Sequence, residues 1–427
     1  MPLPDRQNGV KLSKCPLTFE QKKNNLAHIA CSLGVNIQPG QTLVVNAPVE
    51  SADFARLVAK NAFELGAKDV SIRYNDEHFS RLRYDHADLE ALTTIPKWQQ
   101  DRLNDYVDQN TAVISIYAEA PDVMKGVDTS KVLAATRAAQ TAGKRYQEAV
   151  MNDRIRWCVI SVPTAGWAHK IFPELPEDLA VSKLWDAIFY TTRTDLADPV
   201  GAWQAHNQSF EKRVNLLNQH HFTEFIYTSP SSGTDLHVGM PKNHVWAGGS
   251  EIAQDGVSFF PNIPTEEIFC APDKDRINGT LVSTHPLVYN GQLIDHFQFT
   301  FKNGVVTDFS AEQGYDALKS LLESCPGSNQ LGEISFVPYD SPIQNLGILF
   351  YNTLFDENAS CHFALGAAYP TCVKDGQNMD EAALKNTGLN VSDTHVDFMV
   401  GASDLNITGV KADGSKIPIF INGNWAI

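Results

Sequence analysis

An N-terminal α/β domain with a mainly parallel sheet, followed by a C-terminal α+β domain with a mainly antiparallel sheet, is the architecture expected of this 427-residue chain. Three features lead there. Residues 1–205 alternate helical periodicity with short apolar runs, as right-handed strand–helix–strand crossovers do. Residues 206–427 crowd short β-rich segments between turn dipeptides, the texture of hairpins. The charge divides at the same place. The first part carries 23 Lys+Arg against 25 Asp+Glu and the second 11 against 25, so nearly all of the net −16 lies in the second.

Taken in order, apolar residues at helical spacing predict helices over 19–33, 53–65, 99–107, 131–151 and 178–189. Between them, Val- and Ile-rich runs predict strands at 42–46, 69–73, 111–117 and 157–162. Covered on both faces by helices, such strands make a doubly wound sheet. No Gly-x-Gly-x-x-Gly follows Val45 or Ile116, and no Gly-x-x-x-x-Gly-Lys-Ser/Thr occurs, so a phosphate cradle is not expected. A turn-rich link at 195–201 and a helical stretch at 210–217 place the domain junction near residue 205. Beyond it, strands are expected at 222–227, 234–238, 280–284 and 297–301, with turns at Asn290-Gly291, Asn303-Gly304 and Asp413-Gly414. Helices are expected over 311–322 and 346–354.

Composition excludes several functional classes. No run approaches the roughly 20 apolar residues that cross a bilayer, and the N-terminal stretch holding Asp5, Arg6, Lys11 and Lys14 lacks the apolar core of a signal peptide. Seven cysteines without a Cys-x-x-Cys pair suit reduced thiols, so a cytoplasmic protein with no membrane partner is expected. The acidic second part favours metal cations and ammonium groups over phosphate-rich partners, which leaves no role for nucleic acid.

Candidate chemistry concentrates in that acidic part. In Thr394-His395-Val396-Asp397-Phe398-Met399 the polar and apolar residues alternate at strand period, which puts His395 and Asp397 on one face and Val396 and Phe398 on the other. A solvated strand face would show the same pattern. Three further segments hold carboxylate or imidazole in apolar company: Asn262-Ile263-Pro264-Thr265-Glu266-Glu267-Ile268-Phe269, Leu331-Gly332-Glu333-Ile334-Ser335-Phe336, and Asp356-Glu357-Asn358-Ala359-Ser360-Cys361-His362-Phe363-Ala364-Leu365-Gly366. Thr265 could cap a helix with an acidic first turn, although Pro272 follows too soon for one of ordinary length. Glu333 could begin an exposed strand, and His362 could be a satisfied core histidine. Together, Glu267, Glu333, His362, His395 and Asp397 supply enough donors for two neighbouring divalent ions.

These four segments, with Ala367-Ala368-Tyr369-Pro370, resemble the M29 family of thermophilic aminopeptidases along essentially the whole chain. The resemblance implies a metal-dependent aminopeptidase that hydrolyses the first peptide bond of peptides with a free N-terminus. It places the metal ligands on Glu267, Glu333, His362, His395 and Asp397 and the active-site tyrosine on Tyr369, leaving Glu266 or Glu333 to shuttle the proton. It also implies two divalent ions (Zn²⁺, Co²⁺ or Mn²⁺), broad action on neutral and hydrophobic N-terminal residues, and a homodimer. On the donor set alone, another dinuclear hydrolase such as an amidohydrolase or carboxypeptidase, or a non-catalytic binding protein, would serve as well.

Overall fold

The computed structural model describes residues 17–118, 120, 122–289 and 292–427. The N-terminal stretch around Asp5 to Lys14 and the Asn290-Gly291 turn lie outside the described residues. The chain divides into two compact units. One comprises Met1–Ala205, Ser250–Pro264 and Leu349–Leu354, and the other His206–Gly249, Thr265–Ile348 and Phe355–Ile427.

In the first unit, strands β1 (Thr42–Pro48), β2 (Asp69–Asn75), β3 (Ala112–Ile116) and β4 (Trp157–Ile160) form a parallel sheet in the order β2-β1-β3-β4. The interior strands β1 and β3 read as near-continuous buried apolar runs, Leu43-Val44-Val45 and Ala112-Val113-Ile114, because helices cover both faces. Edge strand β2 is correspondingly more exposed. The helices are α1 (Phe19–Ile29), α2 (Ala52–Glu64), α3 (Glu77–His86), α4 (Leu89–Thr93), α5 (Lys97–Asp108), α6 (Thr129–Ala142), α7 (Lys144–Met151), α8 (Ala165–Ile171) and α9 (Glu177–Thr191). A capping box between Thr18 and Gln21 starts α1, and the Asp76 carboxylate accepts from the Phe79 amide to start α3. The Ser250–Pro264 return carries the small hairpin β8 (Glu251–Ile252) and β9 (Ser258–Phe259). Buried Arg156 secures that return, donating to the Asp255 carboxylate at 2.6 Å and to the Val35 carbonyl at 3.0 Å.

The second unit is built from two sheets. Strands β5 (Glu224–Ser229), β6 (Thr234–Gly239), β11 (Ile277–Val282), β12 (Leu287–Tyr289), β13 (Gln292–Lys302), β14 (Val305–Gln313), β18 (Asn406–Val410), β19 (Lys416–Ile421) and β20 (Asn424–Trp425) form the nine-stranded sheet. The five-stranded sheet runs β17-β16-β15-β10-β7, from β7 (Ala247–Gly248), β10 (Ile268–Cys270), β15 (Leu331–Phe336), β16 (His362–Gly366) and β17 (His395–Met399), with every pairing antiparallel. Aromatic side chains join the two sheets. The Phe336 ring centroid lies 4.7 Å from Trp246, 5.4 Å from Phe225 and 5.6 Å from Phe420, Tyr227 lies 5.1 Å from Phe363, and Phe299 lies 5.2 Å from Phe398. One face of the five-stranded sheet is thereby committed to the core, and the other is left for polar residues. Helices α11 (Tyr315–Leu322), α12 (Thr353–Asp356) and α13 (Glu381–Asn386) occupy the connections, and α10 spans Pro199–His220. Among the described residues, no helix is long and apolar enough to cross a membrane.

Several elements depart from expectation for identifiable reasons. No helix spans 346–354, and α12 begins only at Thr353: Gly347 (φ 60°) and Tyr351 (φ 53°) turn left-handed, and the Phe350 carbonyl is taken by the indole N–H of Trp167 at 2.6 Å. The helix expected from residue 311 starts at Tyr315, because β14 runs on to Gln313 and Gly314 (φ 76°) reverses the chain. A side chain on Gly314 would meet the Leu293 carbonyl oxygen at 2.4 Å. The 131–151 helix is two helices separated at Gly143. The link at 195–201 is shorter than expected because α10 begins at Pro199, with the Asp198 carboxylate accepting from the Gly201 amide. By contrast, Thr265 starts no helix, as the nearness of Pro272 implies; residues 265–267 are irregular and lead into β10.

One buried histidine gives the second unit an acid sensitivity. His244 donates from Nδ1 to the Pro241 carbonyl at 2.8 Å and stacks on His221 with ring centroids 4.4 Å apart. Burial drives its pKa down to about 4, partly opposed by that hydrogen bond and assisted by His221. Below pH ~6.5 the unfolded chain binds this proton and the folded chain does not, so stability falls with pH until both forms are protonated. The loss from this residue is expected to reach about 3 kcal/mol near pH 4. Thermal unfolding of wild type and His244→Gln between pH 7 and 4 should show the variant losing correspondingly less.

Candidate metal centre

The free face of the five-stranded sheet gathers the candidate ligands through strand register. On β17, His395 and Asp397 lie opposite Gly366 and Ala364 of β16, and His362 of β16 lies opposite Ser335 of β15. Glu333 pairs with Ala364, so the smallest side chains stand beside the carboxylates and leave room between them. The intervening residues Phe363, Ile334 and Phe398 point into the core.

Glu333 reaches this face through a register break. Leu331 pairs with Leu365 and Glu333 with Ala364, so β15 holds one extra residue, Gly332. Leu331 is a core residue, and simple alternation would put Glu333 beside it; the bulge turns Glu333 to the polar face instead. Only glycine fits there. A Cβ on Gly332 would lie 2.2 Å from the Gly366 oxygen and 2.4 Å from the Ala367 oxygen.

The resulting contacts form two groups that share one carboxylate. Glu267, Glu333 and His362 make one group and Glu333, His395 and Asp397 the other, each with donor atoms within 4.8 Å of one another. His362 Nε2 lies 3.2 Å from Glu267 Oε2 and 3.4 Å from Glu333 Oε1, while His395 Nε2 lies 3.8 Å from Glu333 Oε2 and 3.3 Å from Asp397 Oδ1. The first group is buried throughout; in the second, His395 and Asp397 are only half-buried.

Hydrogen bonds behind the ligands set their direction. His362 Nδ1 is 3.1 Å from the Ser360 carbonyl, and His395 Nδ1 is 2.8 Å from the Ala367 carbonyl. A carbonyl only accepts, so each Nδ1 carries its proton and each Nε2 faces the cluster. Ser335 Oγ donates to Glu267 Oε2 at 3.0 Å. This donor set of carboxylate oxygen and imidazole nitrogen, aimed inward and tethered behind, fits divalent cations of the zinc, cobalt and manganese type.

The electrostatics agree. Burial lowers the His362 pKa, but its hydrogen bonds to the Glu267 and Glu333 carboxylates override that and hold the imidazole well above its ordinary range. His395 is likewise opposed by burial yet raised to about 10 by Asp397 and Glu333. Burial raises Glu333 against the pull of His362, whereas Asp397 stays low because His395 outweighs its burial. Protons thus neutralise the carboxylates where a cation would.

Tyr369 packs its ring edge-on to the His395 imidazole, centroids 5.6 Å apart, and lies 5.8 Å from the ring of Phe269. Glu266 turns away from the two groups toward His206 of α10, whose Nε2 is 3.3 Å from its Oε2. Sequence reasoning missed Glu357, whose pKa burial pushes well above the ordinary carboxylate range with help from the charges of Glu267 and Asp397. Its only sequence signal was membership in the acidic block before His362.

The M29 thermophilic metalloprotease model matches residues 19–425. The chain belongs to that family. This M29 chain is 47% identical over 408 residues to Aminopeptidase 2 of Geobacillus stearothermophilus, covering 96% of this chain and 98% of the relative. It is 44% identical to Aminopeptidase AmpS of Bacillus subtilis (strain 168), covering 96% and 99%. The solved structure of wild-type AmpT from Thermus thermophilus superimposes with a TM-score of 0.90 at 34% identity, covering 96% of this chain and all of that one. The chain is therefore an enzyme of the metallopeptidase class, in a family whose relatives here are aminopeptidases.

The space beside Ala364 yields a direct test. Ala364→Leu is expected to fill the gap between Glu333 and Asp397 and to weaken divalent-metal binding by ~10-fold or more. Calorimetric titration measures the affinity, and an unchanged far-UV dichroism spectrum confirms the fold.

Proposed function

We propose that this metallopeptidase is an aminopeptidase, cutting the first peptide bond of peptides with a free N-terminus with the help of two divalent cations. The observation that supports two ions is Glu333, which turns one carboxylate oxygen to each imidazole. Glu267 and His362 would hold one cation, His395 and Asp397 the other, and Glu333 would join both. Bound there, the ions supply Lewis-acid chemistry, acidifying water and polarising the scissile carbonyl.

The chain's own groups supply the remaining steps. Glu333, at the centre, takes the proton of the attacking water and passes it to the leaving amine. We assign this to Glu333 rather than Glu266 because Glu266 is engaged by His206. Tyr369, beside His395, donates a hydrogen bond to the oxyanion. Phe269 and Tyr369 offer an apolar wall, which supports broad action on neutral and hydrophobic N-terminal residues. The second unit is the catalytic one in this reading, with the first unit shaping access or dimer contacts. The family resemblance supports a homodimer, and the free cysteines Cys31, Cys158, Cys270, Cys325, Cys361 and Cys372 suit a cytoplasmic location.

The decisive experiment compares a leucine anilide with its N-acetyl counterpart, using chelator-stripped protein and Co²⁺, Zn²⁺ or Mn²⁺ added back singly. Cleavage of only the free-amine substrate, restored by metal, is expected. Equal cleavage of both would instead favour a different metallohydrolase. Tyr369→Phe is expected to lower kcat by ~100-fold with little change in KM, the scale of losing one oxyanion donor; an unchanged kcat would remove Tyr369 from the mechanism.

A further inference from the structure

Glu267 sits in a part of the chain that no sheet ladder supports. Residues 265–267 are irregular and join β10 only at Ile268, so their position depends on contacts from elsewhere. Ser335 holds the Glu267 carboxylate itself, and two further side chains hold the backbone before it. Asn358, fully buried, accepts from the Glu266 amide through Oδ1 at 2.7 Å. His206 brings Nε2 to 2.9 Å from the Thr265 carbonyl and to 3.3 Å from Glu266 Oε2. The chain is also pressed from the β7 side, where a Cβ on Gly248 would lie 2.6 Å from the Glu267 carbonyl oxygen.

We infer that Asn358 and His206 are positioning residues for metal binding, clamping the Thr265–Glu267 backbone so that the Glu267 carboxylate meets His362. The inference rests on the reading of Glu267 as a metal ligand. Asn358 stands four residues before His362, in the turn that leads into β16. Its hydrogen bond therefore ties the segment carrying one ligand to the segment carrying the other ligand of the same group. Without it, the buried Glu266 amide loses its acceptor, and the segment regains the freedom that ligation must then remove. His206 acts from the opposite side, on the preceding carbonyl. Neither side chain belongs to the two ligand groups, so both act through Glu267.

The test uses full-length, chelator-stripped protein titrated with Co²⁺. Asn358→Leu, similar in volume but without the acceptor, is expected to bind Co²⁺ ~10–100-fold more weakly, the usual effect of losing a partner behind a ligand. Asn358→Asp keeps the acceptor oxygen and should recover most of that affinity. The deficit in peptide cleavage should disappear at saturating Co²⁺ with KM unchanged, which a general loosening of the fold would not allow. Wild-type affinity in Asn358→Leu, or a cleavage deficit that persists at saturation, would overturn the inference while leaving Glu267 as a ligand. Should Asn358→Leu fail to fold, His206→Phe puts the same question at a less buried position, and undiminished Co²⁺ binding there overturns the clamp. Absence of Co²⁺ binding by wild type would instead overturn the underlying assignment, and the inference with it.

Discussion

Three carboxylates and two imidazoles face one another on a single sheet face, most of them in surroundings that exclude water. Uncompensated carboxylates there would cost several kcal/mol each, so positive charge must enter the cluster. The same demand raises both imidazole pKa values, because the neighbouring carboxylates outweigh the effect of burial. Divalent cations held by these residues, as proposed, would meet the same demand. The acidity of the second part of the chain favours cation entry from a distance.

The cluster is held in this unfavourable arrangement by the opposite face of the sheet. Phe336, Phe363 and Phe398 alternate with the polar residues and pack against aromatics of the nine-stranded sheet, so each strand fixes ligand and anchor with one backbone. Close-packed aromatics resist displacement, and a ligand adjacent in sequence inherits that rigidity. Burial also grades across the site, from the enclosed Glu267–His362 side to the half-open His395–Asp397 side. Tyr369 stands on the half-open side, against His395.

How much of this could be read from sequence depended on how regular the backbone is. His395 and Asp397 sit on an unbroken strand, so period-two alternation placed them on one face as the ladder does. The parallel sheet of the first unit was legible because its central strands are continuous apolar runs between amphipathic helices. Helix α3 was not, since it buries no residue and shows no apolar stripe. The segment at 346–354 misled because Leu346, Phe350 and Leu354 mimic helical spacing while Gly347 and Tyr351 turn the chain left-handed. At the site, Glu267 lies on irregular chain, and the contributions of Glu357, Asn358 and His206 arise from contacts distant in sequence. Periodicity carries no trace of those.

The bulge at Gly332 has a consequence for anyone who would transplant this site. A ligand list copied onto a regular antiparallel sheet would present the β16 and β17 residues correctly and bury the central carboxylate on the wrong side, because the host strand would lack the one-residue offset. What must be grafted is a parity change: a glycine with no side chain, pressed against two carbonyl oxygens, whose whole contribution is to make the next residue count as even instead of odd.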